Sequence, residues 1–406
     1  MNHVTVIGAG LAGSECAWQL AQRGVAVTLR EMKPEKRTPA HVTDYFAELC
    51  CSNSLRGAGL ENAVGLLKEE LRRLHSLIMR CADATAVPAG GALAVDREGF
   101  ARKVTEAVLS HPNITMIPGE VTSIPEGDVV IASGPLTSDP LADAIAARLG
   151  GSNTLNFFDA AAPLVSFDSV DMNSAYFASR YDKGTPDYIN CPMTREEYLA
   201  FWQALTTAQE AEVHGFEDKN VFEGCMPVEV MLRRDNADGT IYNLVGFQTH
   251  LKWPEQRRVF TMIPALRDAQ FLRYGVMHRN TYLDSPRLLD RYYRLKSDPR
   301  IVFAGQMTGV EGYVESCASG FLAGVELARR LNGQTPVDFP AETAIGALGL
   351  YVSNGSVGDF QPMNINFGII PPLDHRVKGK RNKNAELSRR SLDILSQTIE
   401  QEVLYT

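Results

Sequence analysis

The chain has 406 residues, 45% of them hydrophobic and 22% charged, with a formal net charge of −8. That is ample for a sizeable core in two domains, or in one domain interrupted by an insertion, and the acidity argues against wholesale coating of nucleic acid without excluding a local basic face. No apolar run reaches the ~20 residues of a bilayer-spanning helix, and seven scattered cysteines with no CxxC and no Cys/His cluster suggest neither a disulfide framework nor a zinc site.

In chain order, residues 3–8 alternate and are β-branched, which predicts a strand. It begins almost at once, with no basic or apolar leader before it, so the reducing cytoplasm is the expected compartment and no metal is expected. The strand runs into Gly8-Ala9-Gly10-Leu11-Ala12-Gly13, then a helix pattern, "AGSECAWQLAQRG", stopped by Gly24. "VAVTLRE" follows as a second strand ending in Glu31. Strand, GxGxxG turn, helix, strand and an acidic residue about 20 positions on form the dinucleotide-binding fingerprint. Gly8 permits the turn, Gly10 lets backbone approach a pyrophosphate, and Gly13 lets helix and strand pack closely. The helix N-terminus offers amides to phosphate, and Glu31 can accept hydrogen bonds from a ribose.

The next notable stretch, "DYFAELCCSNSLR", places Cys50 and Cys51 side by side in a polar setting unlike a core strand. "DVVIASGP" (128–135) reads as a buried strand meeting a tight turn. Residues 166–272 change texture to short strands and many aromatics, predicting an inserted α+β domain with an antiparallel sheet. "RIVFAGQMTGVEGYVESCASGFLAGVELARRL" (300–331) then repeats strand, glycine turn and helix, so both ends of the chain are expected in one sheet. The expected fold is α/β, a Rossmann-type FAD-binding domain of glutathione-reductase-like form from residues 1–165 and 273–406, with the insertion at 166–272. Only one GxGxxG is present, so the plain expectation is an FAD protein with no second nucleotide fingerprint.

The strings "GAGLAGSE", "EMKP", "TPAH", "CSNSLR", "VPAGGALAVDRE", "GPLTS", "NCPMT", "EGCMPVE", "GFQTHLKWPEQ", "RYGVMHRNTY", "AGQMTGVEGYVES" and "FQPMNINFG" together resemble the folate- and FAD-dependent tRNA uracil-5-methyltransferases. The similarity covers nearly the whole chain. Flavoproteins that modify the tRNA wobble uridine share the fingerprint but carry an extra helical C-terminal domain, for which this chain is too short beyond residue 340.

The resemblance implies methylation of the T-loop uridine of tRNA at carbon 5. The one-carbon unit comes from methylenetetrahydrofolate through reduced FAD, and NAD(P)H is the reductant. A thiolate adding to carbon 6 of the uracil makes carbon 5 nucleophilic, and the positions matching the family's cysteines are Cys51 and Cys225. Which of them attacks uracil is left open; Cys50 and the other cysteines are read as packing residues. Tyr313, His278, Arg279, Asn364 and Asn366 are weaker candidates near flavin or folate, while Trp253 and Phe247 are either stacking platforms for splayed bases or core.

The resemblance also gives the basic residues at 376–390, with Arg257, Arg258, Arg267 and Arg273, a role as phosphate contacts. Between "CMPVEVM" and "LRRDNADGT" the family carries a longer stretch, which predicts either a true deletion or, the favoured expectation, a break in the chain between Met231 and Leu232. The alternatives are an FAD-dependent oxidoreductase acting on a small metabolite, a relative methylating ribosomal RNA, and an RNA-binding flavoprotein without catalysis. Nothing in the sequence sets the oligomeric state.

Overall fold

The structure is a computed structural model that describes residues 2–38, 40–151, 154–160, 162–180, 183–210, 230–247, 249, 251–275, 277–356 and 360–402, with the path of the chain alone for 154–160, 180, 183 and 277–281. Strand β1 (His3–Ile7), helix α1 (Leu11–Gln22) and strand β2 (Ala26–Glu31) form where the pattern places them. β1 and β2 pair in parallel, His3 opposite Ala26 and Ile7 opposite Arg30.

The strand Asp128–Ile131 lies on the other side of β1, and Ile301–Phe303 beyond it, so a parallel sheet of five strands unites both ends of the chain. Val4, Val6, Val129, Val130 and Ile301 are inaccessible to solvent, as expected for parallel strands covered on both faces. α1 packs against the long helix Tyr313–Leu331. The small residues of that helix permit the contact: a Cβ on Gly320 would lie 2.2 Å from the Ala12 carbonyl oxygen, and one on Gly324 2.8 Å from that of Cys16.

A second sheet is antiparallel throughout. Its six strands, in spatial order, are Tyr176–Arg180, Lys183–Asn190, Met231–Arg234, Ile241–Leu244, Leu164–Ser166 and Phe271–Arg273. Val165, Ile189, Leu232, Leu244 and Phe260 make its core. The helix Arg195–Thr206 begins on a capping box between Thr194 and Glu197, and Trp253–Phe260 forms a second helix. Thr154–Ala160 and Met277–Leu283 pair antiparallel as a two-stranded ribbon of their own.

The expected break between Met231 and Leu232 is not there. They are consecutive residues of one strand, opposite Asn190 and Ile189, and both side chains are fully buried. Met231 opens this strand and Leu232 follows it, so the chain passes through the junction without interruption.

Candidate active site

The site begins at the turn between β1 and α1. Gly8 has φ +95°, and a Cβ there would sit 2.6 Å from the Ala132 carbonyl oxygen; a Cβ on Gly13 would sit 1.9 Å from that of Gly8. Both glycines are therefore required for strand, turn and helix to approach. Gly10 differs, because a Cβ there meets nothing within 4 Å. It is the N-cap of α1, with no side-chain cap and no acidic residue in the first turn. The leading amides of the helix, which have no acceptor within it, thus open on empty space.

That space is one cleft of about 1260 Å³, mouth included, lined by Gly8, Ala9, Gly10, Leu11, Ala12, Glu31 and also by Cys50, Cys51 and Tyr313. Gly13 packs beneath it. The Glu31 carboxylate accepts hydrogen bonds from Ala9 N (2.8 Å) and Lys33 N (3.0 Å), tying the glycine turn to the end of β2. Arg30 also lines the cleft, and its buried Nε has no hydrogen-bond partner. An uncapped helix N-terminus, a glycine whose missing side chain leaves a cradle, and a carboxylate at the end of the second strand fit the adenosine diphosphate half of a dinucleotide.

Cys51 is held by contacts far away in sequence. Its amide donates to the Tyr313 hydroxyl at 2.8 Å, as does the Ser52 amide at 3.3 Å. Burial, and then the neighbouring Cys51 and Cys50, push the phenol well above its ordinary range, so it stays protonated. Arg97 donates to the carbonyls of Leu49 and Cys50 and forms a two-pronged pair with Asp235 at 2.8 and 2.7 Å. Burial works against the charge of Arg97, but Asp235 outweighs it and holds the guanidinium above its ordinary value.

On the other side, Arg233 donates to Ser52 Oγ (2.5 Å), to Asn53 Oδ1 (3.1 Å) and to Asn243 Oδ1 (3.2 Å). Asn53 donates to the carbonyls of Val95 and Arg234, both at 2.8 Å. The cysteine segment is thus tied to the antiparallel sheet and to the helix Tyr313–Leu331 by a buried polar network in which each partner satisfies the next.

Burial, then Glu48, pushes the Cys50 thiol up to about 11, and its sulfur points at the Glu48 carbonyl, 3.8 Å away. Such a thiol is almost wholly protonated at neutral pH. Cys16, Cys81, Cys191 and Cys317 are buried. Cys225 and the side chains of His278 and Arg279 lie outside the described residues.

Asn364 and Asn366 bond within their own segment and to the Glu311 carbonyl, where Met363 bridges to Val310 beside the second glycine turn. Phe247 is buried in the aromatic core, whereas Trp253 is 59% exposed. Arg389 is paired with Glu386 and Asp393, and Arg390 caps the carbonyls of Pro371 and Pro372. Arg376, Lys378, Lys380 and Lys383 remain exposed. Among the described residues no three His, Cys, Asp or Glu side chains converge as a metal-binding set.

Residues 3–335 match the family model described as glucose inhibited division protein A. The methylenetetrahydrofolate–tRNA-(uracil-5-)-methyltransferase TrmFO of Heliobacterium modesticaldum is 55% identical over 425 aligned positions, covering 97% of each chain. That of Natranaerobius thermophilus is 54% identical and covers 98% of this chain and 100% of its own. The chain belongs to the TrmFO family.

The alignment with the Heliobacterium TrmFO exceeds the 406 residues present here, in keeping with a chain shortened relative to its family. Among solved structures, GidA of Aquifex aeolicus in its form II crystal superposes with a TM-score of 0.75 at 15% identity. It covers 100% of this chain and 74% of that one, and the likeness establishes the Rossmann-type α/β fold of this TrmFO family member. No described helix is long and apolar enough to cross a membrane.

The glycine turn and Cys51, both singled out from the sequence, line one cleft, but what holds Cys51 was not anticipated. Arg97 and Asp235 sit inside the family strings "AVDRE" and "LRRDNADGT", yet nothing local says that the two strings touch.

Proposed function

We propose that this chain methylates carbon 5 of the T-loop uridine of tRNA, taking the one-carbon unit from methylenetetrahydrofolate with NAD(P)H as the ultimate reductant. The observation that carries the reading is the single cleft lined at once by the glycine turn and by Cys51. The relatives at 55% and 54% identity bear the corresponding name over nearly their full length.

Gly8, Ala9, Gly10, Leu11 and Ala12 with Glu31 would hold the adenosine diphosphate half of FAD, and Gly13 would let the turn close beneath it. When bound and reduced, FAD supplies the hydride that converts methylene to methyl. The chain's own part is sulfur and proton chemistry. Carbon 5 of uracil is a poor nucleophile; a thiolate that forms a bond to carbon 6 turns the ring into an enolate, which attacks the one-carbon unit through carbon 5. Loss of the carbon-5 proton with release of the one-carbon unit from its carrier, addition of that hydride and departure of the sulfur as thiolate then give the methylated ring.

We assign the sulfur chemistry to Cys51 and Cys225. Tyr313 and Arg97 are positioning residues, fixing the backbone on both sides of Cys51. Cys50, its sulfur turned to the Glu48 carbonyl, is assigned no part. We further propose that residues 1–165 with 273–406 form the cofactor domain and that 166–272, built on the antiparallel sheet, close over the substrate, with no membrane partner and a cytoplasmic home.

The test is to incubate the flavin-loaded protein with unmodified tRNA transcript, NAD(P)H and methylenetetrahydrofolate labelled in its one-carbon unit. The proposal requires label in the RNA at a T-loop uridine. Flavin oxidation without labelled RNA refutes it, and label entering ribosomal RNA fragments instead of tRNA refutes the substrate.

A further inference from the structure

The insertion sheet ends in a short ladder of aromatic rings that the reaction described above does not use. Phe271 and Tyr274 are stacked with centroids 5.4 Å apart and planes at 14°; Tyr274 and Trp253 follow at 6.1 Å and 22°. Phe271 rests on the fully buried Phe260, so the ladder is rooted in the core. It ends at Trp253, which has one face against Tyr274 and is 59% exposed.

A tryptophan that only closed a core would not end a stack in water. Basic side chains flank it: Lys252 at the N-cap and Arg257 on the same short helix are exposed, and the helix's one acidic side chain, Glu255, pairs with Arg258 at 2.7 Å, while the exposed Glu210 bridges to the nearby Leu251. At the ladder's inner end a neighbouring arginine reaches toward the cleft. Arg273, next to Tyr274, donates to the Ala40 carbonyl, and His41 forms part of the cleft wall.

We propose that the open face of Trp253 seats an unstacked nucleobase of the RNA substrate outside the catalytic cleft. This rests on the tRNA reading above and adds to it a residue that grips the loop rather than reacts with it. A base that enters a pocket leaves its neighbours without stacking partners, and RNA loops are read mainly on aromatic faces flanked by arginine or lysine. Tyr274 and Phe271 hold the indole in place beforehand, so little ordering remains to be done on binding.

The test measures binding of a T-arm hairpin to flavin-loaded wild type, Trp253→Ala and Trp253→Phe, with flavin absorbance and melting temperature confirming the fold. The alanine variant is expected to weaken binding about 5- to 150-fold, the range for one lost base–aromatic stack, with an unchanged salt dependence because no phosphate contact is lost. The phenylalanine variant is expected to recover most of the loss. With hairpins made abasic at each loop position in turn, one position is expected at which the alanine variant and wild type bind alike.

Equal binding by Trp253→Ala and wild type overturns the inference, as does a loss of the same size on every abasic hairpin. A raised KM for methylenetetrahydrofolate with RNA binding intact also overturns it, since the ring seated would then be folate. If wild type methylates tRNA while Trp253→Ala binds normally, only this inference falls; if wild type binds no RNA, the tRNA reading falls with it.

Discussion

Replacing Gly10 with alanine separates the cofactor site from the fold. In the protein alone, the added methyl group meets nothing within 4 Å, and φ −70°, ψ −168° suits alanine. Two small effects oppose each other: alanine is a poorer N-cap than glycine, but it leaves the unfolded chain less freedom, so stability changes by no more than about 1 kcal/mol. The same methyl group lies where a pyrophosphate must approach the α1 amides. Loss of one charge-assisted hydrogen bond there costs about 1.5–3 kcal/mol, or about 10- to 150-fold in Kd. At Gly13 the order is reversed: a Cβ 1.9 Å from the Gly8 carbonyl oxygen breaks the packing of strand on helix itself. The assay is FAD titration of apoprotein, followed by flavin fluorescence, beside a thermal melt. Gly10→Ala should melt within a few degrees of wild type yet bind FAD at least tenfold more weakly, and Gly13→Ala should be grossly destabilised. Wild-type FAD affinity in Gly10→Ala, or a collapse of its melting temperature, would refute the reasoning.

Tyr313→Phe removes the acceptor for the amides of Cys51 and Ser52; it should cost about 1–3 kcal/mol in urea unfolding and lower methyl transfer while FAD stays bound, and a change below about 0.5 kcal/mol would contradict that anchoring role. Glu70 accepts from Ser391 Oγ and from the amides of Ala344 and Ile345, yet burial outweighs these donors and pushes its carboxyl up to about 7 from 4.5. The folded chain therefore keeps a proton that the unfolded chain releases, and the stability this gives is complete below pH 4.5 and lost as pH rises through 7. Glu70→Gln should remove a pH dependence on the order of 3 kcal/mol across that window, leaving the slope due to Glu326, which is also raised to about 7; identical slopes in variant and wild type would show that Glu70 does not titrate there.

What was legible in the sequence was local. The glycine turn and Glu31 lie within one strand–helix–strand unit, so spacing alone specifies their geometry. The Cys51 anchor joins residues 262 apart, and the Arg97–Asp235 pair joins residues 138 apart, so neither leaves a local signal. Phe247 and Trp253 looked equivalent because residue type does not report burial; one faces the core and the other water. The Met231–Leu232 junction was harder to read: matching flanks suggested a break, whereas the chain runs on through one strand, paired with Asn190 and Ile189.

The account turns on the sulfur of Cys51 acting in the cleft that begins at the glycine turn. Its most direct test is single-turnover transfer of labelled carbon to tRNA by Cys51→Ser, prepared with FAD bound and compared with Cys50→Ser. The expected result is no labelled tRNA from Cys51→Ser at wild-type flavin content, and near-normal labelling from Cys50→Ser. Methylated tRNA at the wild-type rate from Cys51→Ser would contradict the account.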